Sequence, residues 1–353
     1  MRVPKEKLFK FAMEVMKKIG CDDEKASTVA DVLVEADMRG ISSHGVARLR
    51  RYVDHIKEGI IDPSGEPEII FETPVSLVID GNNGVGQYIA KFSMKRVIEK
   101  AKKNGIGMAA VRNSNHYGIA GYYAEMAVEE GLIGISLTNT APLVVHTFSR
   151  EPLLGTNPIA FAFPTGGRYP VLVDMATSVV SRGKLEVCSR LNESIPKGWA
   201  VDEAGRVATD PKRVLISLKR RKGGLLPLGG EGEEFGGHKG YGLALMVELL
   251  SSGLSLGSFS YDTYSEKGGI THFFAAIDPA IFGDPKKIKK HVEVLIKRLK
   301  RAEKAEGAER IYLHGEKEYE KRDESLKYGV EIDGPTYQQL KELSEKLDIQ
   351  IEI

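Results

Sequence analysis

The sequence predicts an α/β protein with a helical N-terminal region. Apolar residues recur at helical spacing over residues 4 to 59, and from Glu68 to roughly residue 280 short β-branched runs alternate with helical stretches. The placement of glycines between those runs also argues against an ordinary nucleotide-binding βαβ unit.

Lys7 to Ile19 carries Leu8, Phe11, Ala12 and Val15 at helical spacing and stops at Gly20. Asp23 to Met38 repeats the pattern with Ala26, Val29 and Leu33 and ends near Gly40. A third helix starts after Ser43, runs through Leu49 and Tyr52 to Lys57, and closes at Gly59. Pro63 to Pro67 reads as a loop. Strands are expected at Glu68 to Phe71 and Ser76 to Asp80, ahead of the turn Gly81-Asn82-Asn83-Gly84. A helix from about Ile89 to Lys103 ends at Gly105, and Gly107 to Arg112 is a strand. Gly121 to Glu130 reads as helix and Leu132 to Thr138 as strand. Ile159 to Phe163 and Val171 to Asp174 look like buried strands, and Gly183 to Arg190 and Tyr241 to Leu250 like helices. Residues 285 to 307 form a basic amphipathic helix. The tail alternates strand (Arg310 to Leu313), helix (Lys317 to Ser325), strand (Gly329 to Ile332) and helix (Thr336 to Lys346).

The 353 residues are 42% hydrophobic and 28% charged with a formal net charge of +1, so no general electrostatic pull toward nucleic acid is expected. No apolar stretch is long enough to span a bilayer, and the N-terminus does not resemble a signal peptide. Cys21 and Cys188 lack any paired spacing, which fits a reducing cytoplasm without thiolate metal sites. The abundance of Lys and Glu points to a thermophilic source.

Two polar islands stand out: Ser42-Ser43-His44-Gly45 with Arg48, and Asn113-Ser114-Asn115-His116-Tyr117-Gly118. Each puts a histidine where a loop turns toward a helix. His44 and Arg48 are four residues apart and are expected on one helix face. A guanidinium grips a carboxylate through two parallel hydrogen bonds, and an imidazole exchanges a proton with a neighbouring oxygen. That pair suits chemistry on a 2-oxo or 2-hydroxy acid. A helix cap and a surface ion pair explain either island alone equally well.

The glycine strings are less informative. Gly105-Ile106-Gly107 follows a helix and precedes a strand, the reverse of the dinucleotide fingerprint, so Gly105 reads as a helix C-cap. Gly84-Val85-Gly86 has a better context, but Ile89 stands where close packing wants Gly or Ala. The run from Gly229 to Gly240 leads into an apolar helix with His238 and Lys239 at its start, which favours a cofactor or substrate contact over a flexible surface loop. The strand Val171 to Asp174 ends in Asp174-Met175-Ala176-Thr177-Ser178, where Asp174 can hold a ribose hydroxyl or cap the next helix. His55, His146, His272, His291 and His314 form no metal-ligand spacing.

Five blocks occur in one order: Ile41 to Arg48, Asn113 to Gly121, Gly155 to Ala160, Asp174 to Ser178 and Gly237 to Leu243. Together they resemble the malate/L-lactate dehydrogenase type 2 family, which also holds sulfolactate and ureidoglycolate dehydrogenases and cyclic imino-acid reductases. The resemblance implies a homodimeric oxidoreductase using NAD or NADP, with a non-Rossmann cofactor domain built on a mixed sheet flanked by helices. It implies that residues 1–67 and the segment 285–353 pack into a second domain beside a cofactor-binding domain at 68–284. It implies His116 as acid/base, with His44 and Arg48 beside it and Ser43, Arg48 and Tyr52 binding substrate. Thr140, Asp174, Met175, Ala176, Lys184, His238 and Lys239 are the implied cofactor contacts, and no metal is implied. The expected reaction is hydride transfer to or from C2 of a small 2-hydroxy or 2-oxo acid, with malate/oxaloacetate favoured. The alternatives are reduction of a cyclic imine carboxylate and a nucleotide-binding protein without catalysis.

Overall fold

A computed structural model of the chain describes residues 1–265 and 269–350. The N-terminal elements are β1 (Arg2–Val3), α1 (Lys5–Lys18), α2 (Asp23–Met38) and α3 (Leu49–Lys57). Next come β2 (Glu68–Glu72), β3 (Ser76–Asp80), α4 (Gly86–Asn104), β4 (Ile106–Ser114), α5 (Ala120–Glu129) and β5 (Ile133–Thr138). The short strands β6 (Val144–Val145) and β7 (Pro152–Leu154) precede β8 (Ile159–Phe163), β9 (Val171–Met175) and α6 (Arg182–Leu191). After β10 (Ala200–Val201), β11 (Val207–Ala208), α7 (Pro211–Lys219) and β12 (Gly224–Leu225) come α8 (Gly237–Glu248) and β13 (Ile270–Ile277). The C-terminal part holds α9 (Pro285–Lys300), α10 (Glu316–Tyr328), β14 (Val330–Glu331) and α11 (Gly334–Leu347).

The fold is α/β, with a seven-stranded mixed sheet in the order β2-β3-β4-β13-β5-β8-β9. Only β3 and β4, joined by α4, run parallel; the other neighbours are antiparallel. A crossover helix is what a parallel pair requires. Helices α4 and α5 cover one face, burying Ile89, Met94, Val97, Tyr123 and Ala124. The other face packs Leu137, Phe273 and Ala275 against Val247 of α8.

The middle strand of this sheet has no counterpart among the strands expected from the sequence. Strand β13 lies between β4 and β5 and is buried at seven successive positions from Ile270. A strand covered on both faces loses the polar/apolar alternation that marks a half-buried one. His272, one of the histidines without metal-ligand spacing, therefore sits at the centre of the sheet. A further lobe is also absent from those expectations: a small sheet in the order β11-β10-β12-β6-β7, packed on α6 and α7 around Leu185, Val214 and Leu225. Strands of two or three residues carry no periodicity to detect. In the opposite direction, the strand expected at Arg310 to Leu313 does not form. His314, just after that segment, accepts the Leu172 N–H of β9 at its backbone carbonyl.

The N-terminal helices share a core with the chain's end. Leu8, Val29, Leu33, Leu49 and Tyr52 pack with Val330, Leu340 and Leu343, and β1 pairs with β14. Helix α9, capped by Asp284 with proline at its first position, buries none of its residues.

Candidate active site

The first island does not begin an α-helix. Ser42–His44 and Val46–Arg48 form two successive 3₁₀ turns, and α3 begins only at Leu49. Asp37 in the last turn of α2 explains the arrangement. Its buried carboxylate accepts the Val46 N–H at 2.7 Å, and a Cβ on Gly45 would lie 1.8 Å from its Oδ1. Burial lifts this carboxyl to about 7.

The second island leaves the end of β4. Its backbone lies so close to the start of α4 that a Cβ on Gly86 would meet the Asn115 carbonyl oxygen at 2.2 Å. Asn115 Nδ2 donates to the carbonyls of Asn83 and Gly84. The string Gly84-Val85-Gly86 thus seats the histidine segment on a helix start. Tyr52 Oη lies 2.7 Å from His116 Nδ1, and the His44 ring stacks on that of His116 at 5.5 Å. Behind them Tyr117 lies flat on His272 at 4.5 Å. His272 in turn bonds Thr138 Oγ1 through Nδ1 and Ser114 Oγ through Nε2, each at 2.8 Å.

These pieces wall a cavity of about 460 Å³. Of the residues singled out in the sequence, Ser43, His44, Arg48, His116 and Thr140 line it. Arg51, His55 and Tyr264 also line it, as does the start of α6 from Ser181 to Gly183. Arg48 Nε donates to the Ser43 carbonyl at 2.5 Å, which leaves its terminal nitrogens for a ligand. Burial, then Arg48 and Arg51, push His44 down to about 4. Burial, then His44, Arg51 and Arg48, hold His116 well below the usual histidine range. Both imidazoles are therefore neutral in the free protein near pH 7.

The remaining sequence-derived residues lie elsewhere. Tyr52 is buried behind His116 and does not reach the cavity wall. Asp174 lines a second cleft of about 270 Å³ with Arg39, Tyr312, His314 and Lys317. Gly118 borders the first cavity and Ile119 the second, so one turn ahead of α5 separates them. Asp174 Oδ2 accepts the Gly121 N–H at 2.7 Å, so it caps α5, which precedes it in the chain, instead of the helix that follows. Met175 is exposed and Ala176 half-buried at the strand end beside it. Lys184, His238 and Lys239 are exposed and line neither cleft. The sequence did hold a signal for Arg51 and His55, which follow Arg48 at i+3 and i+7 on the helical period. Tyr264 carried none. Among the described residues no group of three or more His, Cys, Asp and Glu could hold a metal ion, and no helix is long and apolar enough to cross a membrane.

The malate/L-lactate dehydrogenase family profile matches residues 3–341. The chain belongs to that family. The malate dehydrogenase of Pyrococcus abyssi is 48% identical over 351 residues, covering 99% of this chain and 95% of the relative. The L-sulfolactate dehydrogenase of Methanocaldococcus jannaschii is 42% identical over 347 residues, covering 97% and 96%. The crystal structure of malate dehydrogenase from Entamoeba histolytica superposes with a TM-score of 0.95 at 41% identity, covering 100% of this chain and 99% of that one. Family membership at this level makes the protein an oxidoreductase.

Proposed function

We propose that the protein moves a hydride reversibly between a nicotinamide dinucleotide and C2 of a small 2-hydroxy or 2-oxo acid, with malate and oxaloacetate the favoured pair. The observation that carries this is a single cavity in which Tyr52-bound His116 and His44 face the Arg48 fork. The malate and sulfolactate dehydrogenases among the relatives support the acid class.

Arg48 grips the carboxylate next to C2 with its terminal nitrogens, because Nε is already held by the Ser43 carbonyl. That grip fixes C2 and its oxygen against the histidines. With Nδ1 engaged by Tyr52, Nε2 is the His116 nitrogen that exchanges the proton. In oxidation the neutral ring takes the hydroxyl proton, and in reduction the protonated ring returns it to the oxygen on C2. A bound carboxylate offsets the charge of Arg48, which otherwise disfavours the protonated ring. His44, fixed by Ser43 Oγ at 2.9 Å, is a second group for the same oxygen.

The two clefts on either side of one turn fit a ligand with two polar ends. NAD or NADP supplies or accepts the hydride when bound. Thr140 and Ser181 line the cleft that holds His116, and Asp174 brings a carboxylate suited to a ribose hydroxyl in the other, with Met175 and Ala176 beside it. Lys184, His238 and Lys239 enter this proposal only as exposed groups near helix starts. We also propose a homodimer. Leu245, Met246, Leu249, Leu254 and Leu256 are exposed on and after α8, and a monomer in sedimentation velocity would refute it.

Initial rates with oxaloacetate, pyruvate and sulfopyruvate, each against NADH and NADPH, test the reaction. His116→Asn is expected to lower kcat by about 10²–10⁴-fold while NADH still binds. Near-normal kcat in that variant would remove His116 from proton transfer. Turnover of a cyclic imine carboxylate, and of no 2-oxo acid, would move the chemistry to a C=N bond.

A further inference from the structure

Arg48, at the end of the second 3₁₀ turn, and Arg51 and His55 on α3 line the same cavity wall, from positions i, i+3 and i+7. Arg51 is not loose on that wall. Its Nη2 donates to Tyr264 Oη at 3.2 Å, and its guanidinium lies over the same ring, 5.6 Å from the centroid. The His55 ring meets Tyr264 edge-on at 5.5 Å. Tyr264 takes a φ of +59°, a region that costs a side-chain-bearing residue energy, so the contact is held at the expense of local strain.

Charge makes the arrangement informative. Among the described residues neither Arg48 nor Arg51 has a carboxylate within 4.0 Å. Arg182 also lines the cavity, but Glu186 already pairs with it at 2.9 Å. Two unpaired cations in a partly enclosed space repel each other and are poorly solvated, and a ligand of matching opposite charge relieves both costs. One carboxylate occupies one fork. The second fork then calls for a second anionic group on the same small molecule.

We propose that Arg51 is a specificity-determining residue, held in place by Tyr264, that binds the distal anionic group of a doubly charged 2-oxo or 2-hydroxy acid. The distal group is a carboxylate or a sulfonate, while Arg48 takes the carboxylate beside C2. The inference rests on the 2-oxo acid reading above. It adds that the enzyme discriminates by charge at the far end of the substrate, and it names the side chain responsible.

The test compares wild type with Arg51→Met, Arg51→Lys and Tyr264→Phe, using oxaloacetate, sulfopyruvate and pyruvate at saturating NADH. Arg51→Met is expected to lower kcat/KM for the two doubly charged acids about 100-fold, chiefly through KM, and to change pyruvate less than about threefold. Arg51→Lys recovers part of the loss, because charge returns without the fork, and Tyr264→Phe falls between. An equal loss on pyruvate overturns the proposal, as does a raised KM for NADH with unchanged KM for the acids, which would assign Arg51 to the cofactor. Calorimetric titration with malonate and with acetate supplies a readout independent of turnover. Malonate preference in wild type that Arg51→Met abolishes supports the distal clamp, even if no acid is reduced and the reaction itself is refuted. No malonate preference in wild type overturns the clamp. Matching thermal melts of wild type and variants guard against a folding artefact.

Discussion

His116 has its two ring nitrogens in different surroundings: Nδ1 is 2.7 Å from Tyr52 Oη, and Nε2 is the nitrogen that the proposed proton exchange uses. Tyr52 thus orients the imidazole from behind. Tyr52→Phe is expected to lower kcat roughly 10- to 100-fold through misplacement of the ring, with KM for the acid unchanged. A raised KM with normal kcat would return Tyr52 to the substrate contacts. The pH profile follows from the same surroundings. Burial, then the charges of His44, Arg51 and Arg48, favour the neutral ring, the form that the proposed oxidation needs to accept the hydroxyl proton. In the oxidation direction kcat/KM should therefore stay level through pH 6.5 and fall only at a midpoint well below it. An acid limb centred at or above 6.5 would contradict this electrostatic picture of the cavity.

The helical segments were legible in the sequence because each shows a stripe of apolar residues to one side, as α1 does with Leu8, Phe11, Ala12 and Val15. The first island shows the limit of that logic. His44 and Arg48 reach one cavity as expected, but through two 3₁₀ turns whose shape depends on Asp37, a residue on the preceding helix. Gly45→Ala should cost about 1–3 kcal/mol and displace His44, since its Cβ would overlap the Asp37 carboxylate. Asp37 also predicts a pH effect on stability. Its folded value of about 7 lies above the unfolded value of 3.8, so the native state holds the extra proton between them. The contribution of Asp37 to wild-type stability is therefore lost as pH rises from about 4 to 7. Asp37→Asn keeps an acceptor for Val46 and lacks that slope, so its Tm relative to wild type should climb across this range and level off above it. A constant Tm difference from pH 4 to 8 would show that Asp37 does not titrate there.

At the scale of the molecule, the cavity lies where α3, the end of β4, the segment after β5, the start of α6 and Tyr264 converge. The central strand β13 holds that convergence from below, through His272 and its bonds to Ser114 and Thr138. Burial pushes His272 down to about 3, against 6.5 in the unfolded chain. The unfolded state therefore gains a proton that the native state refuses, and this group's contribution to stability is lost as pH falls from about 6.5 toward 3. His272→Asn should flatten that acid loss by about 2–3 kcal/mol between pH 7 and 4.5, as measured by urea unfolding at the two pH values. Equal acid sensitivity in the variant would mean that other groups govern it.

The sequence alone determined the α/β class, most helices, every strand of the large sheet but β13, the two histidine islands and the family their order resembles. Those features are local: a helical stripe, an alternating strand or a contiguous motif is written within a few dozen residues. Tertiary structure decided what stands beside what. It placed β13 in the middle of the sheet, where burial on both faces erases the alternation by which a strand is read. It brought Tyr264 to Arg51 across 213 positions of chain and Tyr52 to His116 across 64. No local pattern encodes such pairs, because their partners are chosen by the packing of whole elements around a shared core.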